Sequence, residues 1–414
     1  MTPPREGEPP LRLPAGPLLG SPPLMRLLDV LDRDGEGAWI VGGAVRNTLL
    51  GLPVSDIDLA TTARPEETVR RARAAGFRVV PTGIEHGTVT VIVEGRPFEV
   101  TTLREDVSTD GRHAVVRFGR DLPADARRRD FTVNALYADA SGRVIDPVGG
   151  LPDLAGRRVR FIGDADARIA EDYLRIMRFF RFHAAYAEGA LDPEGLAACV
   201  KGRDGIARLS RERVGAEFMK TLLARGAVPT IESMRQTGLL DLVLGGPSSQ
   251  ARLAARVEAG SSGPGEAAAR LAALAVETPE DAERLRERLR LSNEDTDRLH
   301  AFARTAAVMR AAAFAPHPGI LKETAYRHGL DALGDARLVV AAAGGDASGF
   351  AALSGWTIPS PPWTGGDVLH AGAVRGPAVG RALARAQALW IAADFPTSKE
   401  ALDVLLAQAL AETG

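Results

Sequence analysis

Asp56 and Asp58, near the start of the chain, have the spacing of a metal-binding pair. They lie two residues apart in the strand-like segment D-I-D-L-A-T (56–61), so both side chains are predicted to leave the same face of one strand. Two carboxylates on one face can bind a hard divalent cation such as Mg²⁺. The alternative for such a pair is an exposed, hydrated strand face.

A glycine pair and an arginine precede these acids. Gly42-Gly43 stands between a predicted strand (38–43) and a predicted helix (44–51). This arrangement brings backbone N–H groups and a helix N-terminus close to a bound phosphate. Arg46, one turn into the helix, could reach the same phosphate. A glycine pair at a strand end is commonly only a tight turn, but the ordered set of glycines, arginine and acids favours a phosphate and metal site.

Glu99, in the strand-like segment 96–104, is the candidate third acid if two metal ions are held. Two ions about 3.5–4 Å apart would activate an attacking hydroxyl and stabilise a leaving pyrophosphate, so no protein base is required. An exposed strand position is the alternative for Glu99. His86 and His113 are interpreted as loop residues.

A second motif, E-D-Y-L-R-I-M-R-F-F-R-F (171–182), combines acids, arginines and aromatic residues on a predicted helix. Asp172 and Arg175 are three residues apart and are therefore predicted neighbours. A carboxylate accepts from an exocyclic amino group and a guanidinium donates to a ring acceptor. The pair would match cytosine and adenine and mismatch uracil and guanine, and mismatched buried polar groups discriminate strongly.

Arg178 and Arg181 continue this series in steps of three and drift around the helix. They are assigned to phosphate or to neighbouring side chains, with an exposed salt-bridged face as the alternative. In R-R-R-D-F-T-V-N-A-L (127–136), Arg129 is the candidate triphosphate or sugar contact. Asp130 and Asn134 would shape the turn and the ribose site, or be purely structural.

The elements around these motifs predict an α+β fold, a small mixed sheet with helices followed by a long helical region. Glu105 to Asp125 lacks strong periodicity and is predicted to be a mobile loop beside the site. The segment 245–265, rich in glycine, proline and serine, is the candidate hinge or loop. The other predicted elements are a helix at 24–32, a helix at 65–75, strands at 77–80, 87–93 and 97–103, and helices from 165 to 410.

Composition sets broad limits on the protein. A chain of 414 residues, 45% hydrophobic and 25% charged, is expected to be soluble and to form several domains or subdomains. No apolar run approaches the ~20 residues that span a bilayer. The single cysteine, Cys199, excludes an internal disulfide and predicts a reducing, cytoplasmic location. The proline-rich residues 1–23 are predicted to be a disordered tail. A net charge of −2 carries no global sign of nucleic-acid binding.

The motifs, in this order and spacing, resemble those of bacterial class II tRNA nucleotidyltransferases and their poly(A) polymerase relatives. The resemblance covers about residues 36–240. The segments that carry it are V-G-G-A-V-R-N-T-L-L-G, S-D-I-D-L-A-T, R-R-R-D-F-T-V-N-A-L-Y, E-D-Y-L-R-I-M-R-F-F-R-F and L-S-R-E-R-V-G-A-E (209–217). The C-terminal half matches loosely, through helical content and G-P-A-V-G-R-A-L (376–383).

This resemblance implies a nucleotidyltransferase palm at 24–155, a helical neck with the nucleotide-selecting helix at 156–240, and an RNA-binding helical body and tail at 241–414. It also implies that Asp56 and Asp58 bind metal and act in catalysis. Glu99 is the candidate third catalytic acid because of its place in the strand-like segment 96–104, and the resemblance does not add to that. The nucleotide-binding positions it implies are Gly43, Arg46, Arg129, Asp172, Arg175, Arg178 and Arg181.

The implied activity is template-independent addition of C and A to the 3′ end of tRNA, using CTP and ATP with one or two Mg²⁺ ions and releasing pyrophosphate. A poly(A) polymerase would use the same head, and an enzyme that adds only CC or only A is a narrower alternative. A non-catalytic RNA-binding protein is disfavoured because both aspartates are present. No membrane partner is expected, and the oligomeric state is left open. Candidate RNA-contacting residues are Arg157, Arg158, Arg160, Arg203, Arg208, Arg211 and Arg213.

Overall fold

The structure of the chain is a computed structural model that describes residues 11–109, 114–260 and 263–413. The chain divides into two compact units between Val243 and Leu244. The first unit combines a mixed sheet with helices, and the described residues of the second are helical apart from their connections. The predicted α+β class, with a sheet-containing head followed by helices, is therefore confirmed.

The strands belong to the first 145 residues. They run Ala38–Val41 (β1), Asp58–Thr61 (β2), Arg78–Gly83 (β3), Thr88–Val93 (β4), Arg96–Thr102 (β5), Arg104–Thr109 (β6), Ala114–Phe118 (β7), Tyr137–Ala138 (β8) and Val144–Ile145 (β9). Within the described residues, the main sheet has the order β3-β4-β5-β2-β1-β8-β9. The β2–β5 pair is parallel and the other pairs are antiparallel. The parallel pair at the centre brings the start of β2 beside the middle of β5.

The first three helices of the N-terminal unit contact the strands of this sheet, and the later ones contact mainly other helices and turns. The helices of this unit run Pro22–Leu31 (α1), Gly43–Leu49 (α2), Pro65–Ala74 (α3), Leu122–Arg127 (α4), Gly150–Ala155 (α5), Ala165–Glu171 (α6), Leu174–Tyr186 (α7), Pro193–Gly202 (α8), Arg211–Leu223 (α9), Ala227–Gln236 (α10) and Leu239–Leu244 (α11). Short 3₁₀ turns cover Ile84–His86, Thr132–Asn134 and Arg203–Arg208.

Apolar periodicity explains the core of the head. Val89 and Val91 are buried on one face of β4, as the two-residue period of a strand requires. Leu24 and Leu28 are buried on one side of α1, which contacts α3 and β4. Burial of each such side chain contributes about 1.5–3 kcal/mol, and this core fixes the sheet on which the acidic residues stand.

The predicted disordered tail is wrong for the part that the structure describes. Leu13 and Leu18 are buried, and the Leu13 N–H donates to the Gly142 carbonyl over 2.8 Å. The leucines between the prolines cover the turn between β8 and β9, and this burial offsets the entropy of ordering a proline-rich segment. Residues 1–10 of the predicted tail lie outside the described residues.

The predicted mobile loop at 105–125 is also wrong. Its backbone forms the antiparallel pair β6–β7, followed by the helix α4. The pairing of β6 with β7 is a register between two segments of the chain, and the residue types of each segment alone do not specify it. Residues 110–113 lie outside the described residues.

The second unit is built from helices and a 3₁₀ turn, Ser348–Leu353. The helices run Gln250–Glu258 (α12), Glu266–Ala275 (α13), Pro279–Leu289 (α14), Asn293–Ala311 (α15), Pro318–His328 (α16), Asp331–Ala342 (α17), Gly365–His370 (α18), Pro377–Ala392 (α19) and Lys399–Thr413 (α20). The predicted hinge at 245–265 is only partly correct, because α12 occupies its centre; residues 261–262 lie outside the described residues. Across 11–109, 114–260 and 263–413, no helix has the length and apolarity needed to cross a membrane.

An aromatic cluster fills the end of the second unit. The Trp390 ring lies 4.9 Å from the Phe395 ring and 5.7 Å from the Tyr326 ring, measured between centroids. The indole N–H of Trp390 donates to the Pro396 carbonyl over 2.8 Å. The buried ring therefore keeps its polar group satisfied, as a stable aromatic core requires.

Candidate active site

Asp58 and Glu99 stand side by side where β2 begins. The register of the parallel pair places Asp58 directly opposite Glu99, and the antiparallel pair with β1 places it opposite Val41. Both acidic side chains are exposed on the surface of the sheet. The pKa of Asp58 is raised above its ordinary value. Desolvation is the largest cause and the charge of Glu99 is the next, while the charge of Arg129 opposes the shift.

Asp56 does not lie in the strand, which corrects the prediction that both aspartates share one. β1 ends at Val41 before the Gly42 turn, so the residues before Asp58 have no β1 partner. Asp56 is exposed in the irregular segment leading into β2, and its Oδ2 accepts from the Ser55 hydroxyl over 3.1 Å. Its charge still raises the pKa of Asp58, so the two carboxylates act on one another as the spacing predicted.

These carboxylates suit a divalent cation in charge and donor type. A bound cation would use these hard oxygen ligands. It would also relieve the repulsion from Glu99 and Asp56, which adds to desolvation in raising the pKa of Asp58. Among the described residues, no three His, Cys, Asp or Glu side chains form a complete metal-binding group. Mg²⁺ usually keeps several waters and binds one or two carboxylates together with substrate phosphates, so a pair is sufficient. Glu99 as a third ligand stays a prediction.

The glycine turn lies close to Arg129. Gly42 has a φ of 68°, in the left-handed region that favours glycine, and it precedes α2. A Cβ at Gly42 would lie 3.4 Å from the Asn134 carbonyl oxygen and 3.8 Å from Nη1 of Arg129. The charge of Arg129 also opposes the upward shift in the pKa of Asp58. This guanidinium therefore lies near both the glycine turn and the acids.

A buried carboxylate holds Arg129 in place. Asp125 is 1% exposed and accepts from Nε and Nη2 of Arg129, from Arg128 and from the Tyr137 hydroxyl, which lies 2.7 Å away. Burial alone would raise the pKa of Asp125, but Arg129 and Arg128 bring it below its ordinary value. Arg129 is therefore a fixed positive charge beside the acids, a geometry suited to a triphosphate.

Arg46 does not point a free guanidinium at the phosphate position, which corrects its predicted role. It is 5% exposed, and it donates to Asn47, to Oδ1 of Asn134 and to the hydroxyl of Tyr186. Burial lowers the pKa of Arg46, and the Tyr186 hydroxyl opposes that shift. Arg46 instead joins α2 to the Thr132–Asn134 turn and to the end of α7.

Asp172 and Arg175 are not neighbours on one helix. α6 ends at Glu171, Asp172 is extended with φ −153° and ψ 107°, and α7 begins at Leu174. One oxygen of Asp172 accepts from the Leu174 N–H and the other from Arg213 over 2.7 Å. Arg175 pairs with Glu171 and donates to the carbonyls of Arg168 and Arg128. Because the helix is interrupted here, Asp172 lies just before the first residue of α7 and one turn before Arg175.

The neighbouring-side-chain alternative for Arg178 and Arg181 agrees with the structure. Arg178 pairs with buried Asp130 over 2.6 Å, and Arg181 pairs with Glu217 of α9. Burial alone would raise the pKa of Asp130, but Arg178 and the surrounding hydrogen bonds lower it below its ordinary value. Asp130 also accepts from the Asn134 amide over 3.1 Å, so these arginines hold α7 against the head and against α9.

Sequence reasoning missed several residues that position these groups. The signal for Asp125 was its position four residues before Arg129, a spacing at which opposite charges pair in helical backbone. The two residues do form an ion pair, although α4 ends at Arg127. Tyr186 and Glu217 gave no comparable signal, because their partners are 140 and 36 residues away in the chain. Arg213 was singled out only as a candidate RNA contact, because its partner Asp172 is 41 residues away.

The candidate RNA-contacting arginines are largely paired within the protein. Arg158 and Arg160 both pair with fully buried Asp153. Arg213 pairs with Asp172, and Nε of Arg157 lies 3.8 Å from Glu188. Pairing lowers the net positive charge that these residues can offer to phosphates. A role in RNA contact stays a prediction for these residues and for Arg203, Arg208 and Arg211.

Two family models match the chain. Residues 38–160 match the family described as "Poly A polymerase head domain", which spans the sheet, the acids and the Arg129 segment. Residues 190–251 match the family described as "Probable RNA and SrmB- binding site of polymerase A".

Similar proteins support the same assignment. CCA tRNA nucleotidyltransferase 1, mitochondrial, from Danio rerio is 42% identical over 219 residues, 52% of this chain and 51% of that protein. The CCA-adding enzyme of Streptococcus pyogenes serotype M2 (strain MGAS10270) is 45% identical over 200 residues, 48% of each chain. The chain therefore spans about half the length of these relatives.

The fold extends the similarity beyond the aligned half. The crystal structure of the CCA-adding enzyme of Bacillus stearothermophilus in complex with CTP superposes with a TM-score of 0.70 at 28% identity, over 95% of this chain and 99% of that one. In its motifs, its family matches and its fold, the N-terminal unit of this chain is therefore similar to poly(A) polymerase head domains and to CCA-adding enzymes.

Proposed function

We propose that this chain is a template-independent RNA 3′-end nucleotidyltransferase that adds C and A to tRNA, using CTP and ATP and releasing pyrophosphate. The observation that carries the proposal is the grouping of Asp58, Asp56 and Glu99 near the glycine turn, with Arg129 close to both. The names of the relatives, CCA-adding enzyme and CCA tRNA nucleotidyltransferase, support C and A as the nucleotides. The CTP bound to the Bacillus stearothermophilus enzyme supports CTP as a substrate.

In this proposal Asp56 and Asp58 hold a divalent cation, for which Mg²⁺ is the proposed choice. When bound, such an ion favours deprotonation of the RNA 3′-hydroxyl and stabilises charge on the departing pyrophosphate. Arg129, already fixed by Asp125, supplies positive charge to the triphosphate. The backbone N–H groups after Gly42 offer hydrogen bonds to the same phosphates.

Base selection falls to Asp172 and Arg175. The described contacts of Asp172 use one lone pair on each carboxylate oxygen, which leaves acceptor capacity for a cytosine or adenine amino group. Those of Arg175 use three of the five N–H groups of a guanidinium, which leaves donors for a ring acceptor. Uracil and guanine would present like groups to both side chains and be rejected.

One assay tests the activity and separates it from its rivals. The protein is incubated with tRNA lacking its CCA end, Mg²⁺ and labelled nucleoside triphosphates, and the product ends are sequenced. Two C residues followed by one A support the proposal, whereas a long A tract indicates a poly(A) polymerase. Addition of only CC or only A indicates the narrower enzyme. Binding of tRNA without any addition, unchanged by loss of Asp56 and Asp58, indicates a non-catalytic RNA-binding protein.

A cytoplasmic location is part of the proposal and rests on the single cysteine. The Danio rerio relative is named as mitochondrial, so the compartment needs its own test. Fractionation of the source cells with antibody detection should recover the chain with cytoplasmic markers, and recovery with an organelle would contradict this part of the proposal.

A further inference from the structure

Arg46 is the point at which three elements of the N-terminal unit meet. Its Nη2 donates to the Tyr186 hydroxyl over 2.8 Å, and its guanidinium carbon lies 3.9 Å from the centroid of the Tyr186 ring. Its Nη1 donates to Oδ1 of Asn134. Arg46 belongs to α2, which follows the glycine turn, and Tyr186 is the last residue of α7. The contact thus joins the turn proposed to hold phosphate to the helix that begins beside Asp172.

The surroundings of Arg46 are those of an internal connection. The side chain is 5% exposed, and the hydrogen bonds to Asn47, Asn134 and Tyr186 use four of its five N–H donors. The Phe182 ring, which stacks on Tyr186 at 5.8 Å, lies 5.2 Å from the same guanidinium. Little donor capacity remains for a phosphate, and the charge is balanced by aromatic faces and amide oxygens.

A second connection runs parallel to the first. Asn134 accepts from Arg46 and donates to Asp130, and Asp130 pairs with Arg178 of α7. Two contacts about two helical turns apart in α7, at Arg178 and at Tyr186, therefore restrain this helix against the glycine turn. Buried networks of this kind fix the orientation of the elements that they join, provided that their members are satisfied.

We propose that Tyr186 is a positioning residue for nucleotide transfer, a role that rests on the function proposed above. Its hydroxyl and ring hold Arg46, and through Arg46 they hold the Gly42-Gly43 turn at a set position relative to α7. A base that fits Asp172 and Arg175 then places its triphosphate correctly at the turn. A base that fits poorly tilts the nucleotide away from the acids, so loss of Tyr186 lowers transfer and also weakens discrimination between bases.

The test uses a graded pair of variants and a matched control in the full-length chain. Tyr186→Phe removes the hydrogen bond and keeps the ring, whereas Tyr186→Leu removes both. Tyr326→Phe is the control, because its hydroxyl accepts from Gln387 in the second unit. We measure kcat and KM for CTP and for UTP, the affinity for CTP by calorimetry, and the melting temperature.

We expect Tyr186→Phe to lower kcat/KM for CTP about tenfold, the loss for one hydrogen bond to a charged group, with the CTP-over-UTP ratio falling as well. Tyr186→Leu should lose about a further threefold or more with the ring, and Tyr326→Phe should match the wild type. Unchanged kinetics and CTP affinity in both Tyr186 variants would overturn the proposal. So would losses that follow the melting temperature with the CTP-over-UTP ratio unchanged.

The proposed function and the positioning role of Tyr186 can be contradicted separately. A wild-type chain that binds CTP but transfers no nucleotide contradicts the proposed function, and the calorimetric comparison then still decides whether Tyr186 positions the nucleotide. A wild-type chain that transfers C and A while the Tyr186 variants behave like it contradicts only the positioning role.

Discussion

Asp58 and Glu99 face each other in register across the parallel pairing of β2 and β5. Two carboxylates at adjacent positions on one face of a sheet repel one another, and this repulsion contributes to the raised pKa of Asp58. A protein that keeps such a pair on an exposed surface loses stability by it. A cation bound between Asp58 and Glu99 would account for the pairing, because both carboxylates would then be attracted to the ion.

Glu99→Gln tests this relationship without a nucleotide. Removing the neighbouring charge should lower the pKa of Asp58 and stabilise the metal-free protein by about 0.2–1 kcal/mol, the range for cross-strand pairs. Adding Mg²⁺ should then stabilise the variant less than the wild type, as thermal unfolding would measure. Glu94→Gln, at the exposed turn between β4 and β5, is the control. An equal gain from Mg²⁺ in the wild type and in Glu99→Gln would argue against Glu99 as a ligand.

Asp58→Asn should lower the rate of nucleotide transfer strongly while leaving the fold intact. The side chain is exposed and stands at the first residue of β2, so an amide of the same shape fits without burying new polar atoms. Loss of a metal ligand removes several kcal/mol of transition-state stabilisation, which is about a hundredfold or more in rate. Single-turnover assays at several Mg²⁺ concentrations measure the effect. Transfer at the wild-type rate would remove the basis of the proposed mechanism.

Asp172→Asn should relax the choice of nucleotide more than it slows transfer. The amide can still accept from the Leu174 N–H, but it replaces a pure acceptor with a group that also donates and so tolerates a carbonyl. We expect the CTP-over-UTP ratio in kcat/KM to fall by about tenfold or more. Asp166→Asn, on the exposed face of α6 and paired with Lys201, should leave the ratio unchanged. A ratio that stays constant in Asp172→Asn would assign selection to other residues.

The elements that could be predicted from the sequence were those whose signals lie in neighbouring residues, such as hydrophobic alternation and glycine turns. The strand predicted at 38–43 is observed as Ala38–Val41, and the glycines after it end the strand because Gly42 takes a positive φ. The change from strand alternation to helical periodicity was likewise visible. Asp58 and Glu99 were singled out separately, but their adjacency depends on β2 pairing with β5, a register that no local pattern specifies.

The errors fall where distant residues decide the outcome. Nothing between Glu171 and Leu174 breaks a helix by propensity, yet Asp172 leaves the helical region and pairs with Arg213, 41 residues further on. Arg46 looked like a phosphate ligand from its place beside the glycines. Its partners are Asn134 and Tyr186, 88 and 140 residues away, and only the tertiary fold brings them together.

Cys199 should resist thiol reagents in the native protein. The side chain is fully buried in α8, and burial raises the pKa of its thiol far above the ordinary value, so the reactive thiolate is scarce. Labelling with a maleimide, followed by mass spectrometry, should show negligible modification under native conditions and complete modification in denaturant. Labelling of the native protein within minutes at neutral pH would show that α8 opens readily.

His183 should make the protein less stable in mild acid. It is buried in α7, and burial lowers the pKa of its imidazole below the value of about 6.5 that it has when unfolded. The unfolded chain therefore binds a proton more readily than the native one. The stability contribution is complete above about pH 6.5 and declines as the pH falls, by at most about 1.4 kcal/mol per pH unit for one proton. Urea unfolding between pH 7.5 and 5 measures this slope.

His183→Gln should reduce the acid-side slope, because the variant has no imidazole to protonate on unfolding. It should also lower stability at neutral pH, since a different shape must fit the same buried space. His86→Gln, at a half-exposed position near the end of β3, is the matched control. If His183→Gln and the wild type lose stability in parallel from pH 7.5 to 5, groups other than His183 account for the acid sensitivity.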